Sequence, residues 1–300
     1  MQSMRVPLIN QINAHTAPVY ALATGESPDW LFTGGGDRIV ALWNVRDGNQ
    51  HPFTIQTEAS VFSLAYNHTT KNLFIGCSNG MLHVVDTNSK NEVKAWTLDA
   101  AGLFDVKWDA PRNRMLVAGG NGILTVIDCQ TGEVLRSIPL SNVKIRRVDL
   151  RENGDLLAIA DNAGRVHVLD AENYQTIETI NAHEEGCTAV LWHPHKPVLI
   201  TGGKDAMIRC WHMDRNYEQV FHFAAHQSTI YDLVYHANSN NIVSCSRDKS
   251  IKWWNTDTFD PVQKVDYGSG GHKHSVNRLL AQGQWIISAG DDRTVMLFGV

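Results

Sequence analysis

The chain has 300 residues, of which 43% are hydrophobic and 19% charged, and a net charge of −5. A chain of this size buries about three quarters of its unfolded surface, so it needs no disulfide or structural metal to hold a core. The mild negative charge argues against a general nucleic-acid binder, which shows a basic face; no apolar run approaches the ~20 residues that span a bilayer; and the cysteines at 77, 129, 187, 210 and 245 never form a CxxC pair, which predicts reduced thiols and no zinc site.

The start, MQSMRVPLINQI, is too short and polar for a secretory signal, so a cytoplasmic location and no membrane partner are expected. Within it PLINQI (7–12) reads as a strand, with Pro7 tolerable at its first position. From VYAL (19–22) onward the chain repeats itself. The same first-strand place recurs as VFSL (61–64), LFDV (103–106), IRRV (145–148), CTAV (187–190), IYDL (230–233) and VNRL (276–279). Downstream, a turn place holds Asp37, Asn79, Asn121, Ala163, Asp205, Asp248 and Asp292. Six residues after each turn place stands Trp43, Val85, Ile127, Leu169, Trp211, Trp254 or Phe298, a spacing of 42 to 44 residues from unit to unit. A repeat of this period is read before any local element, because it decides the fold.

Each unit reads as β. MLHVVD (81–86), ILTVID (123–128), RVHVLD (165–170) and SIKWWN (250–255) are short, β-branched or aromatic, and bounded by Gly, Asn or Asp. A strand precedes each turn and another follows it. A weaker fourth strand fits FTIQT (53–57), VKAWTL (93–98) and QTIETI (175–180). Four short strands per unit, seven times, predict a seven-bladed β-propeller filling residues 1–300 as one all-β domain.

The spacing of His, Ser or Thr, Asp and Trp within the unit resembles that of the WD-repeat β-propellers, over about residues 7–300. His15, Thr33, Asp37 and Trp43 fit the family pattern in unit 1; His183, Thr201, Asp205 and Trp211 in unit 5; His226, Ser244, Asp248 and Trp254 in unit 6. In unit 7, His272, Ser288 and Asp292 fit, but Phe298 replaces the Trp. Ionised Asp only accepts, indole only donates, and hydroxyl and imidazole do both, so the four can form a closed buried chain. With Phe298 the unit 7 chain should stop at Ser288. Units 2 to 4 hold Thr57, Asp99 and Ser141 at the His place, Ile75, Val117 and Ile159 at the hydroxyl place, and Val85, Ile127 and Leu169 at the Trp place. A half-satisfied network is worse than none, so these units are expected to be blades closed by apolar packing. The resemblance also implies that the strand at 7–12 completes the last blade.

No catalytic motif is present: no GxxxxGK(S/T), GxSxG or HExxH occurs. The glycines of 34–36, 119–122 and 268–271 lead into no helix that could hold a phosphate. His193, His195 and His274 have no ligand-spaced partners, so structural or solvent roles are expected, with no metal and no cofactor. The turn aspartates lie in different blades, too far apart for acid–base work.

Binding remains. The resemblance implies that partners meet the face carrying the loops before the first strands. Three places per unit point there: the residues before and after the first apolar residue of the first strand, and the one before the turn place. They put Tyr20, Phe62 and Phe104 on three consecutive blades and Lys144, Arg146, Lys204 and Arg247 on blades 4 to 6, with Tyr231 near them. Aromatic and arginine side chains most often anchor interfaces. The expected function is a non-catalytic scaffold, monomeric or part of a larger complex, that binds proteins or peptides with apolar and acidic residues. The alternatives are an enzyme using Asp105, Arg147, Asp232 and Arg278 in the central channel, and nucleic-acid binding by the basic sector.

Overall fold

The computed structural model describes residues 6–299; the polar start of the chain and Val300 lie outside them. Seven four-stranded antiparallel sheets follow one another in chain order. The first strand of each lies innermost: β2 (Val19–Thr24), β6 (Val61–Asn67), β10 (Leu103–Asp109), β14 (Ile145–Leu150), β18 (Cys187–Trp192), β22 (Ile230–His236) and β26 (Val276–Gln282). Each packs beside the next, and β26 returns to β2, so the sheets close a ring as blades. Among the described residues the only helical pieces are three short 3₁₀ turns.

The ring closes as the ends of the sequence imply. β1 (Leu8–Asn13) pairs antiparallel with β28 (Thr294–Gly299), Leu8 opposite Phe298 and Asn13 opposite Thr294, and completes the last blade. Closure leaves fewer exposed edges to pair with other chains. Apolar residues alternate along the strands and pack between neighbouring blades, in seven clusters spaced around the ring. The five cysteines are free and buried within these layers.

One irregularity recurs in every blade. The pairing of the innermost strand with the second slips by one residue just after its first position, at Val19/Ala21, Val61/Ser63, Leu103/Asp105, Ile145/Arg147, Cys187/Ala189, Ile230/Asp232 and Val276/Arg278. This is a β-bulge, which re-aims the extra side chain. The bulge residue turns to one mouth of the central channel. In blades 3, 4 and 7 the residue after it, Asp105, Arg147 or Arg278, lines the channel, whereas Ala21 and Ala189 pack in the apolar layers between blades.

Blades 2 to 4 are complete sheets, with Ile75, Val117 and Ile159 fully buried where the other blades keep a hydroxyl. The expectation of purely apolar closure needs correction in blades 3 and 4, which keep polar straps of their own. Before blade 2, the Thr57 hydroxyl instead lies within hydrogen-bond distance of the carbonyls of Arg38, in the blade 1 turn, and Ala59. Asp99 accepts the amide N–H groups of Ala101 and Asn121, at 2.7 and 2.8 Å. In blade 4 the buried Asp161 carboxylate accepts the Ala163 and Arg165 amides, the Arg165 side chain and His167 Nε2, while Arg165 also reaches Ser141. The glycine in these turns is required by close approach: a Cβ on Gly80, at φ +81°, would stand 1.0 Å from the Asp99 carbonyl oxygen.

Candidate functional site

The polar chains of blades 1, 5 and 6 link loop, turn and core. In blade 1, His15 Nδ1 lies 2.9 Å from the Asp37 carboxylate and Nε2 lies 2.7 Å from Thr33 Oγ1. The Trp43 indole N–H donates to that same hydroxyl at 2.9 Å. His183–Thr201–Trp211 and His226–Ser244–Trp254 repeat the arrangement, anchored on Asp205 and Asp248. In blade 7 His272 bonds Asp292 and Ser288, and the fully buried Phe298 has no N–H to continue the chain. Burial pulls the His15, His183 and His226 imidazoles below their ordinary pKa, against the pull of the aspartates. Burial alone would raise the aspartates, but the bonds from histidine and backbone amides lower Asp37 and bring Asp205, Asp248 and Asp292 well below the usual carboxylate range. A neutral histidine between an ionised carboxylate and a hydroxyl satisfies every member. These residues fasten the loop before each first strand to its turn, and so fix the face above it.

On that face the three sequence series adjoin. In all seven blades the carbonyl of the residue before the first strand accepts the N–H of the residue before the turn place, from Pro18 and Gly36 round to Ser275 and Asp291. The seven bulge residues, Tyr20, Phe62, Phe104, Arg146, Thr188, Tyr231 and Asn277, together line a cup of about 380 Å³ at the channel mouth. Tyr20 meets Phe62 edge-on at 5.6 Å, and Phe62 stacks on Phe104 at 5.4 Å. Lys144 Nζ and the Arg146 guanidinium lie 5.0 and 4.9 Å from the centre of the Phe104 ring. The aromatic and basic sectors are therefore one contact surface meeting at Phe104, not two halves. Lys204 and Arg247 do not line the cup; the Lys204 stem packs over Gly186, and Arg247 stands close enough to the cup residue Tyr231 for its charge to act on that phenol. Asn277 and Asp291, which carried no sequence signal beyond their places in the series, complete the wall, with Asn277 donating to Asp291 at 2.8 Å.

The floor of the cup is a belt of four charges at the place after the bulge. Arg147 pairs with both Asp105 and Asp232, and Arg278 with Asp105 at 2.6 Å and Asp232 at 3.9 Å. Each carboxylate also accepts a neighbouring strand's amide, Val148 for Asp105 and Leu279 for Asp232, both at 2.9 Å. Arg147 and Arg278 also line a second cavity below the belt, with Lys107 paired to Asp149 at 3.0 Å in its wall.

Two of the histidines outside the polar chains, His193 and His195, are engaged as well. His193 Nδ1 accepts the amides of His195 and Lys196 while Nε2 bonds the Thr256 carbonyl, which leaves neither nitrogen for a metal. His195 bonds the Tyr235 hydroxyl and His274 stands exposed. No helix among the described residues is long and apolar enough to cross a membrane.

A model of the family described as WD40, "WD domain, G-beta repeat", matches residues 7–44, 174–212, 217–255 and 263–298, half of the chain. The unmatched stretch between 44 and 174 contains blades 2 and 3 and the first three strands of blade 4, where the polar chain is missing. Polycomb protein esc of Drosophila virilis is 33% identical to this chain over 66 residues, 22% of the chain and 16% of that protein. Polycomb protein esc of Drosophila melanogaster matches with the same identity and coverage, so the similarity spans only 16% of the length of these relatives.

Proposed function

The chain belongs to the WD-repeat family, and we propose that it is a non-catalytic scaffold whose protein or peptide partners dock on the channel mouth walled by Tyr20, Phe62, Phe104, Arg146 and Tyr231. One observation carries the reading: all seven blades turn their bulge residue into this mouth, and four of the seven are aromatic. Large half-buried aromatics with a neighbouring arginine are the composition of interface anchors. The cations beside them suit a partner with apolar and acidic residues. The channel charges Asp105, Arg147, Asp232 and Arg278 are saturated by one another, which favours a structural role for them over acid–base chemistry.

The test is affinity capture with wild-type protein, a Phe62→Ala/Phe104→Ala variant and Arg146→Glu, each checked for wild-type thermal unfolding. Loss of captured partners from both folded variants is expected. The same partners on all three proteins would overturn the reading.

A further inference from the structure

We propose that the cup at the channel mouth is a carboxylate pocket, in which one acidic group of a partner sits against the Arg146 guanidinium with its apolar neighbour against the aromatic wall. This rests on the scaffold reading above and sharpens it to the ligand's anchoring group. The cup is blind. Its floor is the ion-pair belt, whose arginines are already committed to Asp105 and Asp232. Arg146 is different. Among the described residues its guanidinium touches the Phe104 ring but makes no hydrogen bond, and no carboxylate pairs with it. Burial acts on it with little compensation and pulls its pKa down. A half-buried cation with five unused donors is normally paired; here the missing partner would come from outside.

The chemistry of the surroundings selects an anion. The face of Phe104 that could hold a ligand cation is already occupied by Lys144 and Arg146. The carboxylate among the cup's lining residues, Asp291, is held by Asn277. The phenol hydroxyls of Tyr20 and Tyr231 stand in the same cup and bond no group among the described residues. A guanidinium fork offers two parallel N–H donors to a carboxylate, a match that an ammonium cannot give. The volume of about 380 Å³ takes one or two side chains rather than a helix.

Four probes test this on the full chain at pH 7, followed by calorimetry or by the arginine side-chain N–H resonances: N-acetyl-phenylalanyl-glutamate amide, its glutamine and lysine counterparts, and N-acetyl-phenylalanyl-alanine with a free terminal carboxylate. The glutamate probe should bind at least about tenfold more tightly than the glutamine probe, the scale of one charge-assisted contact. Arg146→Gln should abolish that preference, and Arg146→Lys should retain only part of it. Tighter binding of the alanine probe would identify a chain terminus as the source of the carboxylate. Equal binding of glutamate, glutamine and lysine probes, no binding of either acid at millimolar concentration, or an acid preference that survives Arg146→Gln would overturn the proposal. Capture of partners that depends on Phe62 and Phe104 but not on an acidic group would overturn the carboxylate assignment alone and leave the scaffold reading standing.

Discussion

Trp43 donates its indole N–H to the Thr33 hydroxyl at 2.9 Å, and that hydroxyl is bonded in turn to His15. The indole ends a chain that begins at a carboxylate, so its members are not equivalent. Removing the last donor leaves a hydroxyl that still has a partner, as blade 7 does with Phe298. Trp254→Phe should therefore cost about 1 kcal/mol, the net worth of one hydrogen bond. His226→Ala should cost about 3 kcal/mol, because it leaves Asp248 and Ser244 without their shared partner and opens a cavity. Urea unfolding midpoints check the order. Equal losses would mean that the chain is not a connected unit.

Acid should weaken the propeller earlier than carboxylate titration alone would. Burial lowers the pKa of His15, His183, His226, His193 and His236 from 6.5 in the folded state. The unfolded chain then binds more protons than the folded one, so stability rises with pH across the window below 6.5. The contribution is complete above that value and is lost as pH falls toward each folded pKa. The aspartates, depressed from 3.8, add a second loss in the same direction below pH 4. Unfolding free energy should thus fall between pH 7.5 and 5.5, and more weakly in His226→Gln. A wild-type profile flat over that range would contradict the burial argument.

The legible part of this molecule is what the period controls. Three residues per unit in register define seven blades, and the completion of the last blade by β1 is implied by the family resemblance. The mouth residues were readable as a series because a bulge recurs at one place, although the bulge itself leaves no mark in composition. Lys204 and Arg247 hold the place before the turn and not the bulge place, so they do not line the cup, a difference that charge on consecutive blades does not reveal. The Asp161–Arg165–His167 link of blade 4 was missed for a different reason. Asp161 sits where the corresponding residues are Gly35, Cys77 or Gly203, so this network shares the fold's spacing but not the family's places.

That link predicts its own deletion cost. The Asp161 carboxylate is fully buried and accepts from two amides and two side chains. Asp161→Ala should destabilise by about 2 kcal/mol, with Arg165 able to recover part of its hydration at the surface. Asp161→Asn keeps an acceptor and should lose less. Matching losses in the two variants would show that packing, not charge, matters at this place.

The belt offers a sharper test of how the channel charges act. Arg147→Met leaves Asp232 with the Leu233 and Leu279 amides and, as its remaining cation, the Arg278 Nε 3.9 Å away, and should cost about 3 kcal/mol as an under-compensated buried carboxylate. Adding Asp232→Asn removes that charge and preserves an acceptor for the Leu279 amide. The double variant should therefore be more stable than Arg147→Met alone. A double variant that loses the sum of both single losses would mean that the two groups do not interact.

The hairpins between third and fourth strands separate strain from packing. Lys90 and Phe259 both occupy the left-handed region, at φ +62° and +60°. That conformation costs a side-chain-bearing residue about 1–2 kcal/mol. Lys90 is exposed and gains nothing in return, whereas the Phe259 ring packs against Phe221 and Phe223 of the preceding blade at 5.6 and 6.0 Å. Lys90→Gly should raise stability by about 0.5 kcal/mol, the relief of strain less the entropy of glycine. Phe259→Gly should lower it by about 2 kcal/mol, because the lost inter-blade wedge outweighs the same relief. Denaturant midpoints at unchanged slope measure both. If the two substitutions shift stability in the same direction, the aromatic ring does not hold those blades together.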